Sequence, residues 1–129
     1  MVQNYRDLLV WQKAMDLAEA VCLATEAFPK AQQYILVSQM QRSAISVPSN
    51  IAEGRSRHSE RDFIYHLNIA RGSLAELETQ VYLSMRLKFL DENKGNSLLL
   101  LSNEITKMLF GLRSSLSESD KPVPLKAVT

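Results

Sequence analysis

Phe63, Leu67, Ala70, Leu74, Leu77, Val81 and Ser84 follow one another at alternating steps of four and three. That spacing lines one face of an α-helix, whereas a strand face repeats every second residue. The stripe predicts a helix over about 60–90, roughly 45 Å long at 1.5 Å per residue. Ser59 is placed to cap its start. Glu60 and Asp62 then lie in the first turn, facing the positive end of the helix dipole. A segment of this length must bury its stripe against other helices. The rest of the chain offers them.

Leu8, Trp11, Met15, Ala18 and Cys22 form one helical stripe, and Val10, Ala14, Leu17, Val21 and Ala24 a second beside it. Together they predict a first helix over about 7–27 with a wide apolar face, with Asp7 as its cap and "FPK" at 28–30 as its end. A second stripe-bearing segment runs through Tyr34, Val37, Met40, Ala44, Val47 and Ile51. Its phase passes unbroken through Pro48, which predicts one helix over 31–54, bent where the bond to the Ala44 carbonyl is lost. The alternative is two short helices with Ser46 capping the second. Gly54 is a C-terminal stop in either case. "DENKGNS" at 91–97 reads as a turn, and Leu98, Leu101, Ile105, Met108, Leu112 and Leu116 as the stripe of a fourth helix.

Short connections between long amphipathic helices imply an all-α, antiparallel up-down four-helix bundle with a Pro-kinked second helix. The bundle domain is expected over 1–118 and a flexible tail over 119–129, where prolines replace bulky apolar residues. Only four glycines and four prolines in 129 residues agree with long helices. The apolar run "NSLLLLSNEI" is too short to span a bilayer, and charges near the N-terminus exclude a signal peptide. Cys22, the single cysteine, rules out an intrachain disulfide and any Cys-based zinc site, and fits a soluble cytoplasmic protein. A net charge of +1 lacks the basic excess of a dedicated nucleic-acid binder.

Three stretches, "LLVWQKAMDLAEAV", "QMQRSAISVPSNIAEG" and "FIYHLNIARGSLAELETQV", resemble the 23S rRNA intervening-sequence protein family, also called the four-helix bundle proteins. The resemblance runs from about Tyr5 to Leu116. It implies four antiparallel helices that assemble as a homopentameric ring, in a bacterial family without an established activity. Some members are encoded in intervening sequences of bacterial 23S rRNA genes. A distant, strongly basic relative, the accessory protein of diversity-generating retroelements, binds nucleic acid and a reverse transcriptase. The near-neutral charge of the present chain departs from that relative.

Candidate sites are few. Ser46, Ser49, Asn50 and Glu53 share one side of the segment around Pro48 and read as packing and carbonyl-satisfying groups, with Gly54 closing the motif. On the third helix Gly72, Ser73 and Glu76 mirror them. Ala70 and Gly72 leave room for a helix to pass, while Glu76 and Glu78 are carboxylates for Arg42 or Arg71. Asp62 and His66 stand one turn apart but lack a second cluster to complete a metal site. Asp16 and Glu19 fall short of a magnesium-binding set. No glycine-rich phosphate loop and no catalytic triad pattern occurs, so neither an enzymatic activity nor a cofactor is expected.

The remaining feature is a basic turn, Arg55, Arg57, His58 and Arg61, suited to phosphates. Two functions follow as expectations. One is a non-enzymatic, self-assembling interaction or scaffold protein with Val10, Trp11 and Ala14 at the subunit interface. The alternative is an RNA- or DNA-binding accessory protein that uses the basic turn.

Overall fold

The computed structural model describes residues 4–116. The domain boundary expected at 118 and the tail over 119–129 lie outside the described residues. Four helices, α1 (Leu9–Ala24), α2 (Ser38–Arg55), α3 (Glu60–Arg86) and α4 (Glu92–Ser114), run up and down in sequence order. Each packs on its sequence neighbour, α4 closes against α1, and α2 with α3 makes the most extensive pairing. Among the described residues there is no strand, and no helix is long and apolar enough to cross a membrane.

All seven stripe residues of α3 are at most 5% exposed, and Ser59 Oγ accepts from the Asp62 amide at 3.0 Å as its cap. The helix stops at Arg86, short of residue 90, for a local reason. Lys88 takes a left-handed conformation (φ 66°). Its amide then bonds to the Met85 carbonyl, and that of Phe89 to the Ser84 carbonyl. That paired closure normally employs glycine. Phe89 turns back onto Phe28, with ring centroids 5.8 Å apart, and Leu90 is buried.

Several boundaries differ from the periodicity. Asp7 does not cap α1: it belongs to a 3-10 turn, Tyr5–Asp7, started by Asn4 Oδ1, which accepts from the Arg6 amide. Leu8 precedes α1 without a side-chain cap. "DENKGNS" is not a turn, because Asp91 Oδ1 accepts from the Lys94 amide at 2.8 Å and starts α4 there. The buried stripe of α4 is Leu98, Ser102, Ile105 and Leu109, while Leu101, Met108, Leu112 and Leu116 sit half-buried beside it. Gln33–Val37 forms a π-helical turn ahead of α2. Its wider winding holds an additional residue, which moves Tyr34 off the core stripe to 91% exposure and turns Leu36 and Val37 inward.

Pro48 lies inside α2 as expected, buried, with the helix continuous to Arg55. The pairing of α2 with α3 depends on small residues. A Cβ on Gly54 would fall 2.7 Å from His66 Cβ and 3.0 Å from Phe63 Cδ1, so only glycine permits this approach. Ser46 Oγ meets Ser73 Oγ at 2.7 Å across the same seam. The Asn50 amide nitrogen donates to the Ser46 carbonyl at 2.9 Å and to Ser46 Oγ at 3.0 Å. Asn50 Oδ1 then faces His66 Nδ1 at 3.0 Å. A carbonyl only accepts, so the amide orientation is fixed and Nδ1 of His66 carries the proton. Gly72 does not serve the same purpose. It is exposed, a Cβ there would meet nothing within 4 Å, and the helix-passing role falls to Ala70 and Ser73.

Three stability measurements by urea unfolding test this account. Gly54→Ala is expected to lose about 1–3 kcal/mol by forcing α2 from α3, despite alanine's better helix propensity. Asn50→Ala is expected to lose about 1–3 kcal/mol by stranding the His66 donor and the Ser46 acceptors, and nitrogen shifts of the wild-type protein should show Nδ1 of His66 carrying a proton. Lys88→Gly is expected to gain about 0.5–1 kcal/mol, since the left-handed backbone there costs a side-chain-bearing residue more than glycine.

Candidate nucleic-acid interface

The basic turn is shaped by the seam beneath it. After Gly54 the chain leaves α2 through Ser56, whose amide and hydroxyl both bond to the Ala52 carbonyl. The Arg57 amide bonds to the Gly54 carbonyl at 3.2 Å, and Ser59 starts α3. Because Gly54 draws the two helices together, the half-buried Arg55 guanidinium lies over the Phe63 ring, 5.7 Å from its centroid. Arg57 bonds back to Glu53 Oε2 at 2.6 Å, one helical turn away. Both partners are about half exposed, and an ion pair so placed contributes little.

Arg55, Arg57 and His58 line a cleft of about 850 Å³ at this end of the bundle. Asn4, Tyr5 and Leu8 line it from the N-terminal segment, Leu112 from α4 and Leu116 from just past its end, and Ser59, Glu60 and Phe63 from the start of α3. Arg61 is exposed and does not line the cleft. The fold thus gathers three of the four basic-turn residues and sets the fourth apart. The opposite walls were not visible in the sequence as parts of a site. Leu112 and Leu116 carry helical spacing and read as core, and Tyr5 belongs to no pattern.

The other candidates resolve into structural positions. Ser46, Asn50 and Ser73 form the α2–α3 polar seam, Ser49 is exposed, and Glu53 holds Arg57. Glu76 is exposed on the outer side of α3. Glu78 accepts from Ser102 Oγ at 2.5 Å, and Arg71 lies 4.1 Å from the Phe110 ring centroid, so each finds a partner on α4. His66 is 8% exposed and held by Asn50, whereas Asp62 is exposed. Among the described residues no group of three or more His, Cys, Asp or Glu is placed to hold a metal ion.

Val10 and Ala14 are 5% and 0% exposed and pack in the bundle's own core, which removes them as a subunit interface. Trp11 is half-buried, its ring edge-on to Tyr5 with centroids 5.4 Å apart. The outward stripe of α1 is therefore Trp11, Met15, Ala18 and Cys22.

The chain is similar to a crystal structure of a protein of unknown function from the S23 ribosomal protein family of Bacteroides thetaiotaomicron. The two share 28% identity and a TM-score of 0.75, over 83% of this chain and 100% of the other. A comparison with curated proteins finds no match. The family model for the 23S rRNA-intervening sequence protein matches residues 6–111, which takes in the α2–α3 seam, the basic turn and almost all of the bundle. By that match the chain belongs to the 23S rRNA-intervening sequence protein family.

Proposed function

We propose that this protein is a non-enzymatic interaction scaffold that assembles with further copies of itself through the outer face of α1, in a homopentameric ring of the kind the family resemblance implies. The observation that carries the reading is the Trp11, Met15, Ala18, Cys22 stripe. These residues recur at helical spacing for three turns, yet each remains half-buried or exposed in the single chain, with Met15 at 45%. Within the chain Val10, Ala14, Leu17 and Val21 are the buried core positions of α1, and Trp11 and Ala18 only pack against the margin of that core. An apolar outer stripe of this length is the pattern of a helix with a second packing surface. The lone thiol of Cys22, partly covered along this face, fits a reducing cytoplasmic setting.

A second reading rests on a separate observation: Arg55, Arg57 and His58 converge on one cleft. That supports contact with the phosphates of RNA or DNA at the end of each bundle, and a ring would repeat the basic cluster around one rim despite the chain's low net charge.

Light scattering coupled to size exclusion tests the assembly. The wild-type chain is expected to run as a five-chain particle, and Met15→Glu as a folded single chain with unchanged helical circular dichroism. Trp11 is the single tryptophan, so its emission should shift to longer wavelength in that variant. A wild-type protein that stays single-chain throughout the micromolar range would refute the scaffold reading.

A further inference from the structure

We infer that the end cleft is a pocket for one phosphorylated nucleotide, free or at the end of a strand, rather than a track along which a strand's backbone runs; this rests on the phosphate-contact reading of the same cleft. Its walls have two chemistries. Arg55, Arg57 and His58 supply one side, while Tyr5, Leu112 and Leu116 make the other predominantly apolar. A phosphodiester backbone asks only for cations and hydrogen-bond donors. An apolar and aromatic wall facing those cations calls for a ligand that joins an anion to a flat, poorly solvated body, as a base joins its phosphate. The volume, about 850 Å³, falls within the range of roughly 300–1,000 Å³ of small-ligand clefts.

The arrangement of the charges points the same way. A track would string its cations along a path, but here the fourth, Arg61, stands outside the cleft. Arg55 is held ready by the Phe63 ring beneath it. Arg57 is held by a half-exposed pair with Glu53, so it exchanges that carboxylate for a phosphate at little cost. Tyr5 is itself braced: its hydroxyl accepts from Arg6 at 2.9 Å and its ring rests on Trp11. One aromatic wall of the cleft therefore has a defined position before any ligand enters.

The test uses the full chain and fluorescence anisotropy at low and physiological salt. The probes are a short single-stranded RNA with a 5′-phosphate and the same strand with a 5′-hydroxyl, with AMP as competitor. The phosphorylated strand is expected to bind about tenfold more tightly than the hydroxyl form, the increment of one charge-assisted contact, and AMP should displace it. Leu116→Glu, at the half-buried rim, should weaken both ligands about tenfold. Glu53→Gln, which frees Arg57, should strengthen them by roughly twofold. Circular dichroism confirms that each variant is folded. AMP binding without strand binding also sustains the inference and identifies the free nucleotide as the source. Equal binding of the two strands, no displacement by AMP and a silent Leu116→Glu would overturn the pocket. If Arg57→Ala still abolished RNA binding in that case, the broader phosphate reading would survive. No binding of RNA or AMP at low salt would overturn both.

Discussion

The approach of α2 to α3 is the contact on which the rest of the molecule depends. It is close because the facing positions are small: Ser46 and Gly54 on one helix, Ala70 and Ser73 on the other. It is specific because a polar chain runs along it, from Ser73 through Ser46 and Asn50 to His66. Each such bond contributes only about 1 kcal/mol net, but leaving one unmade in a buried site costs more. A slip of one residue along α3 would strand every member at once. The seam therefore acts on register more than on stability. Register in turn decides where Arg55 comes to rest on Phe63, and so where the cations of the end cleft converge.

Pro48 belongs to the same account. A proline inside a helix removes one backbone bond and crowds the preceding turn, at about 3 kcal/mol or more. Here α2 continues to Arg55, with Val47 and Ile51 fully buried on either side of the buried proline. The burial of that segment against its neighbours offsets the local cost. Asn50, two residues on, spends its amide on the Ser46 carbonyl rather than on solvent. The sequence "SVPSN" thus holds a helix that packing sustains and side chains trim.

Much of this was legible in the chain because stripes of constant phase are long-range information written locally. The α3 stripe, the Ser59 cap and the passage of α2 through Pro48 all follow from spacing and end chemistry. What escaped was set by tertiary context. The π-turn at Gln33–Val37 has no compositional mark, and it alone moved Tyr34 from the core to the surface. "DENKGNS" has the composition of a turn, but Asp91 makes it a helix start, and at Gly95 the flexible Met85 side chain lies where a Cβ would be. In α4 the run of leucines masked which face is inward, and the buried stripe passes through Ser102, whose hydroxyl needs Glu78 on α3. Gly72 was misread for want of a helical projection: it lies opposite the α3 stripe, where no helix of the same chain passes. The basic turn was visible as charge, but the cleft was not, because its apolar wall comes from residues about fifty positions away on either side.

The two surfaces assigned to function are joined by one contact. Trp11 heads the outward stripe of α1, and its ring rests edge-on against Tyr5, a wall of the cleft. Aromatic pairs of this geometry contribute about 0.5–1.5 kcal/mol beyond the area they bury. In the assembly proposed above, a second copy packed over Trp11 would cover the ring on which Tyr5 rests, and would keep that wall of the cleft in the position it already holds. Linkage would then require the reverse in equal measure: a ligand that binds the cleft better with Trp11 covered would favour assembly by the same free energy. The two proposed functions would thus meet at one aromatic pair, Tyr5 and Trp11, at the start of the bundle.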